Sequence, residues 1–274
     1  MEFKDAIKEI EGYQDIVHER EVLMKYGSDM TSYRGVVERV LFALHPKQLR
    51  LSVSEIIQET SSAKTIRFVA VEGNLPPFEA GQYINIFVDV NGIRTSRPYS
   101  ISSSPAQTAY YDITIRRVDD GFVSNYLLDE VKPGDEFFSS GPSGVFHYNP
   151  IFHGDDLVFI AGGSGITPFM SMMQEVADKN LSSRRIHLIY GCKDDCDVIF
   201  QDRINAIVSR HPNISFTLVV SDPPDNYQGR TGFITGKLLQ ELLGDLSQKT
   251  FYLCGPELMY NFCLHELEKL GIRK

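Results

Sequence analysis

Changes in hydrophobic rhythm along the 274-residue chain predict two domains of α+β and α/β type. A six-stranded antiparallel β-barrel comes first, and a five-stranded parallel α/β sheet follows it. Short alternating or β-branched runs fill residues 49–150, the period-two signature of half-buried strands. From residue 151 to 274 apolar strand-like runs alternate with helix-length segments. That order forces right-handed crossovers and a parallel sheet covered on both faces. Residues 1–48 show neither rhythm and read as a helical extension. The length suits two cores rather than one.

Within the extension, Ile7, Ile10, Val17 and Leu23 fall among Glu, Lys and Arg at helix-compatible spacing. Val36, Val37, Val40, Leu41 and Leu44 make a second apolar stripe. Gly27-Ser28-Asp29 separates the two, and His45-Pro46 stops the second. Packing on the barrel and service as a docking or dimerisation element both suit it. The barrel strands are expected near 51–56, 65–71, 83–90, the Arg97 run, 112–118 and 135–140, with a short helix over 122–130. Asn91-Gly92 is the dipeptide of a two-residue hairpin turn. No crossover among them is long, which favours closure into a barrel. After a hinge near 147–155, strands are expected at 157–161, 186–190, 214–220 and 250–254. Helices are expected near 168–179, 200–209, 236–243 and 256–270.

With a net charge of −9, the chain lacks the clustered Lys and Arg that phosphate backbones demand, which argues against nucleic acid. No apolar run approaches the ~20 residues needed to span a bilayer. The start, Met1-Glu2-Phe3-Lys4-Asp5, has no basic region leading into an apolar one, so a cytoplasmic location is expected. Cys192, Cys196, Cys254 and Cys263 match neither zinc nor plant-type iron–sulfur spacing, and the seven histidines are scattered. Free thiols and no metal are therefore expected.

Three blocks carry chemistry. Gly162-Gly163-Ser164-Gly165-Ile166-Thr167-Pro168 follows a buried strand and opens a helix, the context of a dinucleotide loop. Its glycines admit a pyrophosphate to the backbone, and Pro168 suits a first helical turn. Upstream stands Arg97-Pro98-Tyr99-Ser100-Ile101-Ser102-Ser103; downstream, Tyr252-Leu253-Cys254-Gly255-Pro256. In this order, over roughly residues 49–271, the blocks resemble the ferredoxin–NAD(P) reductase superfamily.

The resemblance implies a FAD-binding barrel before a nicotinamide-binding domain. Arg97 would grip the flavin pyrophosphate with a guanidinium fork. Tyr99 would offer its face to the isoalloxazine, beside Pro98, and Ser100 would stand near flavin N5. Ile115 and Arg116 would edge the ring and the phosphates. Gly121, Val123 and Ser124 would open a helix toward the pyrophosphate, with Ser124 also capping it. Gly162, Gly163, Gly165, Ile166, Thr167 and Pro168 would hold the nicotinamide dinucleotide, with Thr167 donating to phosphate or nicotinamide. Cys254 would sit beside nicotinamide C4, followed by Gly255 and Pro256. Ser100 and Cys254 are the two residues implied to touch the reacting atoms.

Asp222, after the third sheet strand, would repel a 2′-phosphate and accept from a free ribose hydroxyl. That favours NADH over NADPH; Arg184, Arg185 and Lys193 are the cations that could reverse the preference. The implied activity is a FAD-dependent NAD(P)H oxidoreductase that passes single electrons to a one-electron acceptor such as a [2Fe–2S] ferredoxin. An oxygenase reductase component shares that half-reaction. The last residues, Gly271-Ile272-Arg273-Lys274, lack a flavin-stacking aromatic, and no iron–sulfur segment follows them. The expectation is thus a piece of a longer reductase or a subunit with a separate ferredoxin. The second reading is a flavin-bearing docking or electron-relay subunit with little nicotinamide turnover.

Overall fold

The computed structural model describes residues 13–26 and 48–272. The chain forms two compact units, one up to Pro46 and one from Lys47. In the first, helix α1 spans Tyr13–Tyr26 and contains Val17 and Leu23 of the expected apolar spacing. Ile7, Ile10 and the 36–44 stripe lie outside the described residues.

The second unit opens with a six-stranded antiparallel sheet ordered β4-β3-β6-β1-β2-β5. Its strands are β1 (Leu49–Gln58), β2 (Ala63–Ala70), β3 (Tyr83–Val90), β4 (Ile93–Ser100), β5 (Tyr111–Arg116) and β6 (Glu136–Ser139). Alternation sets which faces are buried: Ile84, Ile86, Val88 and Val90 of β3 point inward with Ile66 and Phe68 of β2 and Leu51 and Val53 of β1. The hairpin between β3 and β4 turns on Asn91 (φ 54°) and Gly92 (φ 79°). Both residues are left-handed, as a type I′ turn requires. The edge strands β4 and β5 meet at a bridge between Ile101 and Ile113, where Ser102 N–H donates to the Asp112 carbonyl at 2.7 Å. Helix α2 (Phe122–Asp129) packs Val123, Leu127 and Leu128 into the same core.

The second sheet is parallel throughout, ordered β10-β9-β8-β7-β11. It comprises β7 (Asp156–Gly162), β8 (Arg185–Cys192), β9 (Ile214–Val220), β10 (Arg230–Thr231) and β11 (Thr250–Cys254). Helices α3 (Ile166–Asp178), α4 (Gln201–Arg210), α5 (Gly236–Leu243) and α6 (Glu257–Lys269) cover it. β7 is an unbroken apolar run because both of its faces are covered. Leu157, Phe159 and Ala161 pack with α3 and α4, while Val158 and Ile160 pack with Leu239 of α5 and Leu267 of α6. The fifth strand, β10, has two exposed residues on the sheet edge.

Strand order reverses at β7: the chain proceeds outward through β8, β9 and β10, then returns to place β11 on the other side. Open α/β sheets bind ligands at the carboxyl ends of strands flanking such a switch point. Here those ends carry Gly162 and Cys254.

Candidate functional site

From the Ile101–Ile113 bridge the two barrel edges diverge, and a cavity of about 630 Å³ lies along the split. β4 lines it with Arg97, Pro98, Tyr99 and Ser100, and β5 with Thr114, Ile115 and Arg116. The start of α2 adds Gly121, Phe122, Val123 and Ser124; the parallel sheet closes it with Ser164, Gly165, Thr167, Pro168, Cys254, Gly255 and Pro256. β4 buries none of its residues fully, which leaves its polar side chains free to face the cavity.

Charges around this cavity suit an anion on one wall and neutral groups on the other. Arg97 is exposed; its Nη1 donates to Thr95 Oγ1 at 3.0 Å and to the Ser96 carbonyl at 2.8 Å, and among the described residues it has no carboxylate partner. Burial pushes the Tyr99 hydroxyl up to about 12 against the opposing pull of Arg97, so it stays a protonated donor. Burial likewise raises the Cys254 thiol, which keeps it a neutral group rather than a nucleophilic thiolate. Helix α2 begins at Gly121 with no side-chain cap. The amides of its first turn therefore lack intrahelical acceptors and face the cavity with the helix dipole behind them.

A second, mostly apolar cavity of about 430 Å³ opens at the carboxyl ends of β7, β8 and β9. Gly162, Gly163, Gly191, Cys192, Lys193 and Ser221 form its floor, and Phe233, Leu258, Met259 and Phe262 its rim. Its two glycine turns pack backbone on backbone. A Cβ on Gly165 would overlap the Cys254 carbonyl, and one on Gly255 would come within 3.2 Å of Gly162. Gly163 has φ 51°, a region costly for side chains. Arg116 and Pro256 line both cavities.

The sequence profile of the oxidoreductase FAD-binding domain matches residues 50–148, and that of the oxidoreductase NAD-binding domain matches residues 159–265. The chain belongs to the ferredoxin–NAD(P) reductase superfamily. It is similar to the NADH oxidoreductase HCR of Escherichia coli, with 34% identity over 228 residues covering 82% of this chain and 66% of that one. The glycine betaine monooxygenase reductase subunit of Pseudomonas aeruginosa is 31% identical over 220 residues, 79% of this chain and 59% of its own length. The chain thus spans less than two thirds of these relatives. Among solved structures, the flavohem-like FAD/NAD-binding domain of Vibrio cholerae nitric oxide dioxygenase superposes with a TM-score of 0.74 at 26% identity. That match covers 82% of this chain and 94% of the other.

In this reductase-family member, most residues singled out from sequence line one of the two cavities, Ser124 and Thr167 among them, whereas Ile166 and Asp222 line neither. Ile166 is fully buried in the core beneath the turn and lines neither cavity. The Thr167 hydroxyl donates to the Ser164 carbonyl at 2.7 Å, so its proton closes the turn instead of facing a ligand. Ser124 sits inside α2, and the cap position belongs to Gly121. Asp222 is exposed just past β9 and lines neither cavity, though its amide donates to the Lys193 carbonyl at 2.9 Å and its neighbour Ser221 lines the second.

Of the three cations weighed against Asp222, only Lys193 lies at the second cavity. Arg185 begins β8 and pairs with Asp156 at 2.8 Å. A strand rise of about 3.3 Å per residue puts it roughly 25 Å from Lys193. Arg184 stacks over Tyr148 at 3.7 Å near the same far end.

The apolar rim was not legible beforehand, because Phe233, Leu258 and Phe262 follow no motif. The glycine cradle, the uncapped first turn of α2 and the carboxylate-free Arg97 fit a flavin dinucleotide and a nicotinamide dinucleotide side by side.

Proposed function

We propose that the chain is a FAD-dependent, NADH-oxidising electron-transfer module that delivers single electrons to an iron–sulfur acceptor. The observation that carries the reading is the shared wall: Arg116 and Pro256 line both cavities, so two dinucleotides would meet edge to edge at Ser100 and Cys254. When bound, the flavin and nicotinamide supply the chemistry, a hydride exchange followed by release of single electrons.

The chain supplies orientation. Arg97 and the open amides of α2 would hold the flavin pyrophosphate by charge-assisted bonds. Tyr99 would give the ring a flat wall, with Pro98, Ile115 and Val123 as its apolar surroundings. Ser100 would place a small hydroxyl beside the reacting face without blocking it. Gly162, Gly163 and Gly165 would admit the nicotinamide pyrophosphate to the backbone, while Pro168, Gly255 and Pro256 would wall the junction. Cys254, kept protonated by burial, would pack against the nicotinamide with no covalent role. Holding both partners in register is worth far more than any acid–base group here.

Asp222, the exposed neighbour of the Ser221 that lines the second cavity, supports NADH, as does similarity to a protein named NADH oxidoreductase. Similarity to a monooxygenase reductase subunit supports an oxygenase component as the acceptor. Four unpaired cysteines suit a reducing, cytoplasmic setting.

Steady-state oxidation of NADH by ferricyanide, with the FAD-loaded chain, tests the reading. Turnover dependent on FAD is expected; FAD binding with no NADH oxidation would favour a docking or relay subunit instead.

A further inference from the structure

Behind Arg116 lies a buried carboxylate for which the flavin and nicotinamide readings have no use. The Asp197 side chain is 11% exposed and pairs with the Arg116 guanidinium through Nη2. It also accepts from Thr60 Oγ1 at 2.5 Å and from Ser62 Oγ at 2.7 and 2.9 Å. Thr60 and Ser62 belong to the turn between β1 and β2 of the barrel, whereas Asp197 follows β8 of the parallel sheet. A buried charge with this many donors is fixed in place.

Arg116 is fixed in turn. It lines both cavities, and its Nη1 lies 2.7 Å from where a Cβ on Gly163 would stand. The cation is thus laid over the glycine turn. A free arginine would forfeit rotamer entropy on being ordered by a ligand; here Asp197 has ordered it in advance.

Holding the two domains together does not need this carboxylate. Ser171 Oγ donates to the Ser103 carbonyl at 2.7 Å, Gln174 Nε2 to the Ser102 carbonyl at 3.1 Å, and Arg203 pairs with Glu59 across the same junction.

Resting on the proposed function, we propose that Asp197 is a positioning residue that aims Arg116 at the pyrophosphate of the nicotinamide dinucleotide. Thr60 and Ser62 keep the carboxylate in register, so the barrel sets the geometry of a cation that serves the neighbouring domain.

The test is calorimetric titration of NAD+ into the oxidised, FAD-loaded protein, where no electrons move and binding alone is read. Asp197→Asn and Arg116→Ala should each weaken Kd by about tenfold, the loss of one charge-assisted contact. The double variant should bind within twofold of Arg116→Ala, because Asp197 acts only through Arg116. Anaerobic flavin reduction should show the same pattern in its half-saturating NADH concentration.

An Asp197→Asn Kd within twofold of the unaltered protein overturns the proposal. So does tighter binding, which would mean the carboxylate competes with the dinucleotide for Arg116. An unmoved Arg116→Ala or additive losses would also overturn it. Should Asp197→Asn not fold, the Thr60→Val/Ser62→Ala variant replaces it: a loss of about threefold or more that vanishes on the Arg116→Ala background is expected, and no loss overturns the proposal. Failure of the unaltered protein both to bind NAD+ and to be bleached by NADH would overturn the proposed function and this inference together; NAD+ binding with an unmoved Asp197→Asn overturns this inference alone.

Discussion

Arg97 and Gly165 act through opposite properties, one by its charge and the other by its missing side chain. Arg97 has no carboxylate partner among the described residues and stands on the cavity wall. Arg97→Ala should raise the FAD dissociation constant by about ten- to a hundredfold, the 1.5–3 kcal/mol of a charged hydrogen bond, as read by fluorescence titration of apoprotein. Arg97→Lys should recover only part of it, since an ammonium lacks the planar fork. Gly165→Ala would put a methyl on the Cys254 backbone carbonyl, where no rotamer relieves the overlap. A loss of about 1–3 kcal/mol in urea unfolding is expected. Both positions were legible in the sequence because short motifs carry them. Asp197 was not: its partners Thr60 and Ser62 lie 137 and 135 positions away, and nothing local in Lys193-Asp194-Asp195-Cys196-Asp197 distinguishes the carboxylate that turns inward.

Elements with a strong local period emerged from sequence to within a few residues: α3, α5, β3 and the Asn91-Gly92 hairpin. Strand β10, two residues without alternation, carries no period to read, since its existence depends on β9 alongside it. The hairpin offers a check on this scale. Gly92 at φ 79° has open space around its missing Cβ, so Gly92→Ala should cost about 1–2 kcal/mol from backbone strain alone, again by urea unfolding.

The segment joining the two sheets offers another test, in pH. The Asn149 amide donates to His153 Nδ1 at 3.0 Å, and the Tyr252 hydroxyl of β11 lies 2.6 Å from the same nitrogen. An amide only donates, so this nitrogen must carry a lone pair and the ring must be neutral. Burial, then the proximity of His147, lowers the His153 pKa from 6.5. A lowered histidine pKa means the unfolded chain binds the proton first as pH falls. The stabilisation is therefore complete above about 6.5 and is lost on descent toward the folded-state value. The melting temperature should fall between pH 7.5 and 5.5, and less steeply in His153→Gln. Equal slopes would remove His153 from the account, leaving His187, which burial lowers in the same direction.

At the scale of the whole molecule, the proposed function rests on the meeting of two cavities that neither sheet builds alone. The barrel splits open where β4 and β5 part, and the parallel sheet reverses order where β7 and β11 meet; each is a consequence of topology. The expected two-domain fold was legible because each sheet follows its own period. The contact between them was not, because it depends on side chains such as Arg116 and Ser171 that reach across. Cofactor choice also belongs to this scale, since Asp222 stands just beyond Ser221 and beside Lys193, which both line the second cavity. Asp222→Ser should narrow the preference for NADH over NADPH by about tenfold or more, the effect of removing one repelling charge, measured as the ratio of kcat/KM values.

The central claim is that NADH in the second cavity reduces flavin in the first. Anaerobic stopped-flow mixing of the FAD-loaded protein with NADH, and separately with NADPH, reads it directly in the flavin absorbance band. Rapid bleaching by NADH and slow bleaching by NADPH is the predicted result. An unbleached flavin with either nucleotide, in protein that has demonstrably bound FAD, would contradict it.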